Sequence, residues 1–379
     1  MVLRAIIKER LLNLPGRKYY ELEWKTLKSA FSDNKTLCKY GSHRSIDPPG
    51  SMPQTAWKID NSVDIMPNEL LIDVEIVNIN STSFSQILIE CGRDETAIRQ
   101  KIMEIVQARG KMHNPITGSG GMLIGRITKI GSHLADRVKL DIGTRIATLV
   151  SLTLTPLRLY SIENIKMETG QLNVKGEAVL FESSVFTPIP DDLPTPLLLS
   201  VLDCAGAPAM TKRLVKKGDT VVVLGAGGRT GLLCSAVARD VIGPEGKLVG
   251  LVRTDRSLQI VQSTDYFNAV IQEDATRPLI CDGKYSRLAG YNPADVVINC
   301  INEPGTEMTS ILLARQRGRI FFANLATSFT SAALSAEGVG KDVDMYIYRG
   351  YVEGHAELSI ETIRKDAGLR ELLKQIIGY

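Results

Sequence analysis

From Ile72 to Ile79 the chain alternates apolar and polar side chains, the period of a strand with one buried face. Met122 to Gly131 predicts a second strand, and Asp141 to Val150 a turn feeding a third. Between the first two, Ile98, Ile102, Ile105 and Val106 recur at helical spacing and predict a helix over 94–108. The pattern changes near Pro194. Apolar strands at 220–224, 247–252, 295–299 and 319–323 are separated by helical stretches at 230–241, 256–265 and 308–316. Such alternation predicts βαβ units and a parallel sheet. Residues 331–379 return to mixed character. At the other end, Leu3, Ile6, Ile7, Leu11 and Leu12 show helical spacing that Pro15-Gly16 ends, and 22–30 predicts a second short helix.

This gives an α/β protein in three parts: a leader (1–37), a strand-rich catalytic and substrate domain (38–190 plus 331–379), and a dinucleotide-binding domain (191–330). The length of 379 residues suits two domains. The net charge of +3 comes from 45 basic and 42 acidic residues without a basic run, which argues against a nucleic-acid partner. No apolar stretch approaches the ~18 residues of a membrane span, and charges interrupt the N-terminus too early for a signal peptide. Six cysteines without a C-x-x-C pair read as free thiols in a reducing compartment, so a cytoplasmic location is expected.

The strongest local motif is Val223-Leu-Gly-Ala-Gly-Gly-Arg-Thr-Gly231, between an apolar strand and a helix. There Gly225 permits the tight turn, and Gly227 or Gly228 lets backbone approach a pyrophosphate. Arg229, Thr230 and Gly231 open a helix whose free N–H groups favour an anion. The spacing G-x-G-x-x-x-G is one residue longer than the usual fingerprint. The next strand ends Val252-Arg253-Thr254-Asp255. Arg253 with Thr254 would suit the 2′-phosphate of NADP, and Asp255 the ribose of NAD, so both cofactors stay open. Asp274 and Ala275 follow the third expected strand and face the adenine edge.

This order of parts resembles the medium-chain dehydrogenase/reductase superfamily. The carriers are Gly118 to Ile130, Asp141-Ile-Gly-Thr-Arg-Ile, Cys204-Ala-Gly-Ala-Pro-Ala and Arg349-Gly-Tyr-Val-Glu-Gly-His. The resemblance implies a GroES-like fold for the strand-rich domain and a Rossmann fold for the other. It also places the zinc ligands of the superfamily's metal-dependent members near Thr82, Gly121, Met122 and Cys204. One soft donor among these cannot hold zinc, which takes three protein ligands in a catalytic site, so no metal is expected.

Four longer strings narrow the resemblance: Lys39 to Gly50, Met52 to Asp60, Met112 to Met122, and Ala326 to Met345. They resemble the L-erythro-3,5-diaminohexanoate dehydrogenase family. That implies NAD(P)-dependent oxidative deamination of this diamino acid to 5-amino-3-oxohexanoate and ammonia, in lysine fermentation. A homodimer is the default expectation, since the return strand near Tyr346 to Tyr351 resembles an edge region of the superfamily. The deamination needs a base for the C3 ammonium and a group that activates water. His113 and Asp203 are the candidates, with Thr82 and Ser83, on an expected strand, as hydrogen-bonding partners of the amine. Glu303, Glu307 or Glu337 would receive the distal ammonium, and Arg44, Lys58, Lys111 or Lys341 the carboxylate. His43 and His355 receive no role. Two other readings stand beside this one: a zinc-free NADPH quinone or enone reductase, and a non-catalytic nucleotide-binding sensor.

Overall fold

The computed structural model describes residues 37–288 and 292–378. All but the last residue of the expected leader therefore lies outside the described residues. Two short strands, β1 (Ser45–Asp47) and β2 (Lys58–Ile59), pair with each other. They are followed by β3 (Glu69–Ile79), α1 (Ser81–Glu90), α2 (Glu95–Arg109), β4 (Gly121–Ile130), β5 (Arg145–Thr148), β6 (Leu157–Lys166), β7 (Gln171–Phe181) and β8 (Phe186–Pro188). The last six strands form one antiparallel sheet in the order β6-β7-β3-β4-β5-β8.

The alternation of β3 works as expected. Leu70, Ile72 and Val74 face a core shared with Ile98, Ile102, Ile105 and Val106 of α2, while Leu71 packs with Val179 and Phe181 on the other face. α2 starts where the Asp94 side chain accepts the Ala97 N–H at 2.7 Å and stops at Gly110, whose φ of 71° is left-handed.

One local expectation fails: Thr82 and Ser83 are helical. The strand ends because the last N–H groups of this run, at Ile79 and Asn80, reach the carbonyls of Gly170 and Gly120. Asn80 then caps α1, its side chain accepting the Thr82 N–H at 3.0 Å. The cap outweighs the apolar run.

The second half begins with α3 (Thr195–Leu202) and α4 (Gly206–Leu214). It continues through β9 (Thr220–Leu224), α5 (Arg229–Ile242), β10 (Lys247–Val252), α6 (Asp255–Gln262), β11 (Ala269–Gln272), α7 (Pro278–Ser286), β12 (Ala294–Asn299), α8 (Glu307–Leu313) and β13 (Ala314–Phe322). It closes with α9 (Phe329–Gly338), β14 (Val343–Ile347), α10 (His355–Lys365) and α11 (Ala367–Ile376). The sheet is parallel, in the order β11-β10-β9-β12-β13-β14, the doubly wound arrangement. β9 is buried on both faces: Val221 and Val223 join the cluster under α5, Val222 and Leu224 the cluster with Ile311 and Leu313 of α8.

The C-terminal segment differs from its expected grouping with the strand-rich part. β14 pairs in parallel with β13, and Ala356, Ile360, Leu369 and Leu373 of α10 and α11 enter the cluster under α5. Val343-Asp-Met-Tyr-Ile carries little strand signal of its own, and the open edge of β13 supplies the pairing.

The two sheets share one core. Met122, Ile124 and Ala147 of the antiparallel sheet pack in the same cluster as Leu197 and Val201 of α3 and Leu232 of α5. This fixes the end of α3 and the start of α5 at the seam. Among the described residues no helix is long and apolar enough to cross a membrane.

Candidate active site

The strand order reverses between β9 and β12, so a crevice opens beyond their carboxyl ends. Gly225 makes the turn there at φ 74°, a conformation other L-residues rarely adopt. A Cβ on Gly227 would lie 2.8 Å from Ser257 of α6, whereas one on Gly228 would meet nothing nearer than 3.5 Å. Gly227 is thus required for packing, and the α-carbon of Gly228 faces open space at the helix start. Gly231 lets α5 sit against the turn, since its Cβ would lie 2.2 Å from the Gly225 carbonyl oxygen. A cradle that any Cβ would fill, at a helix N-terminus, fits a dinucleotide pyrophosphate.

A cavity extends from this turn toward β10 and β11. Gly225, Gly227 and Gly228 line it together with Arg253, Thr254, Asp274 and Ala275, so the structure gathers the expected adenosine-side residues in one place. The arginine is not free to read a phosphate. Its two terminal nitrogens lie 2.8 and 3.0 Å from the Glu303 carboxylate, and Asp274 is 3.9 Å away. Thr254 caps α6 by accepting the Ser257 N–H. Asp255 sits on α6 and accepts from Gln272 at 2.7 Å.

On the other side of the turn a second cavity lies between the sheets. Gly228, Arg229, Thr230 and Gly231 line it with Asp203 and Cys300, facing Asn78, Ser81, Glu168, Thr169 and Gln171. Asp203 caps the C-terminus of α3, and its carboxylate holds Arg229 Nη2 at 2.9 Å. Arg229 Nη1 also donates to Ser200 Oγ at 3.4 Å, so this arginine, assigned from sequence to the cofactor, points into the cleft. The Tyr348 hydroxyl donates to the backbone carbonyl of Asp203 at 3.4 Å. Burial pushes the Cys204 thiol up to about 11 and raises the Tyr348 phenol as well, so both stay protonated at neutral pH.

Several cleft groups lack a protein partner. The Asn78 amide, on a residue 5% exposed, makes no side-chain hydrogen bond among the described residues, and Thr169 Oγ1 is buried and unpaired. A buried polar atom left unpaired, as Thr169 Oγ1 is, calls for a polar ligand or water. Asn78 leaves a trace in the sequence, a polar residue between Val77 and Ile79 at an inward position. Glu168 and Thr169 leave none, because a polar turn between two strands looks like any hairpin.

His113, Ser83 and Thr82 lie outside both cavities, and His113 Nδ1 is buried without a hydrogen-bond partner among the described residues. The loop of this histidine is held by Arg109, which donates to the His113 carbonyl at 2.7 Å and stacks on Trp57. Burial, with the charges of Arg109 and Lys111, lowers its imidazole to about 4, so it is neutral at physiological pH. Ser83 is buried and its hydroxyl lies 2.5 Å from those of Thr117 and Ser119. Thr82 is exposed, and its hydroxyl accepts from Asn302 Nδ2 at 3.4 Å, a contact between the two halves.

None of the proposed carboxylate receivers reaches the cleft. Arg44 is buried against Glu69, Lys111 donates to the carbonyls of Pro53 and Gln54, and Lys341 to those of Leu312 and Ala314. Lys58 is exposed on β2. Of the proposed acids, Glu303 holds Arg253, Glu307 is buried and accepts the Ser328 N–H, and Glu337 is exposed on α9. His43 bonds to Glu69, and His355 is buried beneath Tyr351. At the positions aligned with zinc ligands, Thr82 lies on α1, Gly121 and Met122 on β4, and Cys204 in the shared core. Among the described residues no group of three or more His, Cys, Asp or Glu is placed to hold a metal ion.

Residues 43–190 match the family model for the N-terminal domain of L-erythro-3,5-diaminohexanoate dehydrogenase. A relative of that name from Acetoanaerobium sticklandii is 48% identical over 89% of this chain and 98% of its own. Another of that name from Fusobacterium nucleatum subsp. nucleatum is 46% identical over 90% and 99%. Among solved structures, the chain resembles the CurK enoyl reductase (TM-score 0.50, 15% identity, 85% of this chain and 82% of that one). It is similar to the same degree to an alcohol dehydrogenase from Thermus sp. ATN1 (TM-score 0.50, 14% identity, 85% and 91%). These two likenesses concern the fold, that of the medium-chain dehydrogenases and reductases.

Proposed function

Because the chain belongs to the L-erythro-3,5-diaminohexanoate dehydrogenase family, we propose that it oxidises this diamino acid at C3 in the cleft between its two sheets. Substrate, water and oxidised nicotinamide cofactor give 5-amino-3-oxohexanoate, ammonium, reduced cofactor and one proton, a step of lysine fermentation. The observation that carries this reading is a juxtaposition. The glycine turn and the start of α5 share one cavity with Asn78, Asp203 and Thr169, whose buried Oγ1 has no hydrogen-bond partner among the described residues.

When bound, the nicotinamide ring supplies the hydride acceptor. The protein must handle the protons. Hydride can leave C3 only when the nitrogen on that carbon has a free lone pair, so a base first deprotonates the ammonium. Asp203 is the carboxylate beside the helix start and takes that role. Arg229 fixes its orientation and keeps it from turning away. Once the iminium has formed and the acid has released that first proton to solvent, the regenerated carboxylate accepts a proton from the attacking water and passes it to the departing nitrogen. Cys204 and Tyr348 remain protonated and cannot substitute as bases.

The cofactor is proposed to be NAD. Glu303 neutralises Arg253, and Glu273 and Asp274 line the same cavity, so a 2′-phosphate would meet more negative than positive charge. The protein is further proposed to be a homodimer. β14 leaves one edge of the parallel sheet without a partner among the described residues, and Leu325, Phe329 and Leu334 are at least 60% exposed. A light-scattering mass of a single 41.5 kDa chain would rule the dimer out.

The test is turnover of L-erythro-3,5-diaminohexanoate with NAD and with NADP, followed by reduced-cofactor absorbance, together with the ammonia-dependent reverse reaction. Reduction of quinones or enones without any amine oxidation would refute the reading.

A further inference from the structure

We propose that Glu168 is the specificity-determining residue of this enzyme, receiving the C5 ammonium of the substrate. The inference rests on the substrate assignment above. That substrate carries two ammonium groups and one carboxylate, so it brings a net charge of +1 into the cleft. The charged side chains lining the cleft are Asp203, Arg229 and Glu168. Asp203 and Arg229 neutralise each other at 2.9 Å. Glu168 makes no ion pair or side-chain hydrogen bond among the described residues, so it is the one uncompensated charge, and its sign is opposite to that of the substrate.

Its placement suits a distal group. Glu168 lies on the turn between β6 and β7, and the neighbouring Gly170 carbonyl accepts the Ile79 N–H, which seats the turn beside the start of α1. The turn therefore faces Asp203 and the α5 start across the cavity, so a substrate with C3 at Asp203 extends its far end toward Glu168. Next to it, the unpaired Thr169 Oγ1 offers a second acceptor for the same ammonium.

The experiment compares wild type, Glu168→Gln and Glu168→Asp on two substrates, 3,5-diaminohexanoate and 3-aminohexanoate, which lacks the distal amine. A charge-assisted contact of this kind predicts that Glu168→Gln raises KM for the diamino acid about 10- to 100-fold. Its kcat should change less than about threefold, because the contact is made equally before and during reaction. Activity on 3-aminohexanoate should be unaltered, and Glu168→Asp should recover part of the loss. Glu168 is exposed, so the variants should keep the wild-type melting temperature. Equal losses on both substrates, or an unchanged KM for the diamino acid, would overturn the role of Glu168 alone. No turnover of the diamino acid by the wild type would overturn the substrate assignment and this inference with it.

Discussion

The Asp203 carboxylate and the Arg229 guanidinium meet at 2.9 Å across the junction of α3 and α5. One residue ends a helix and the other begins one, and the pair stands where the glycine turn opens into the cleft. It gives the acid a fixed direction.

Asp203→Asn should therefore lower kcat by about 10²- to 10⁴-fold, the usual contribution of a general base. Cofactor affinity, read by fluorescence titration, should stay within a few-fold. His113→Ala should retain most of the turnover, because that residue lines neither cavity. A loss of kcat in His113→Ala as large as that in Asp203→Asn would reverse the assignment.

The Arg253–Glu303 pair predicts how cofactor choice is set. Glu303→Gln frees the guanidinium while keeping the side-chain shape. The ratio of kcat/KM for NADP over NAD should rise about tenfold, equal to one charge-assisted contact of ~1.4 kcal/mol. An unchanged ratio would mean that Arg253 does not meet the 2′ position.

The glycines separate into a binding and a packing class. Gly228 adopts φ −86°, which alanine tolerates, and its added methyl would project into open space. Gly228→Ala should keep the melting temperature and weaken cofactor binding severalfold or more. Gly227→Ala forces its methyl against Ser257 and should lower stability by about 1–3 kcal/mol, as overpacking does. Thermal melts with and without NAD distinguish the two.

Glu69 predicts the acid limb of stability. Burial alone would raise its carboxyl, but hydrogen bonds from Arg44, His43 and the Met66 N–H, with the Arg44 charge, hold it at about 2 against an ordinary 4.5. The folded value is the lower one, so the contribution is complete above pH 4.5 and is lost as pH falls toward 2. That amounts to roughly 3 kcal/mol. Glu69→Gln leaves Arg44 buried without its partner and should cost about 3–5 kcal/mol near neutral pH. Denaturant melts from about pH 6 to about pH 3 should show a shallower acid loss in the variant than in wild type.

What was legible in the sequence was local. The βαβ alternation from Thr220 onward, the period of β3 and α2, and the turn at Gly225 each depend on neighbours within one element, and each took its predicted form. That Arg253, Thr254, Asp274 and Ala275 come together around one cavity was legible for the same reason, because they follow consecutive strand ends. What the tertiary structure decided was which charges remain free. Arg44, Lys111, Lys341 and Glu307 read as available ions in one dimension, and each is bound to a partner brought from elsewhere in the chain. Thr82 and Ser83 became helical through the Asn80 cap and two carbonyls reaching in from Gly120 and Gly170. Which groups of the cleft stay unpaired, as Glu168 and Thr169 Oγ1 do, is a property of the folded molecule, set by contacts that spacing along a chain does not encode.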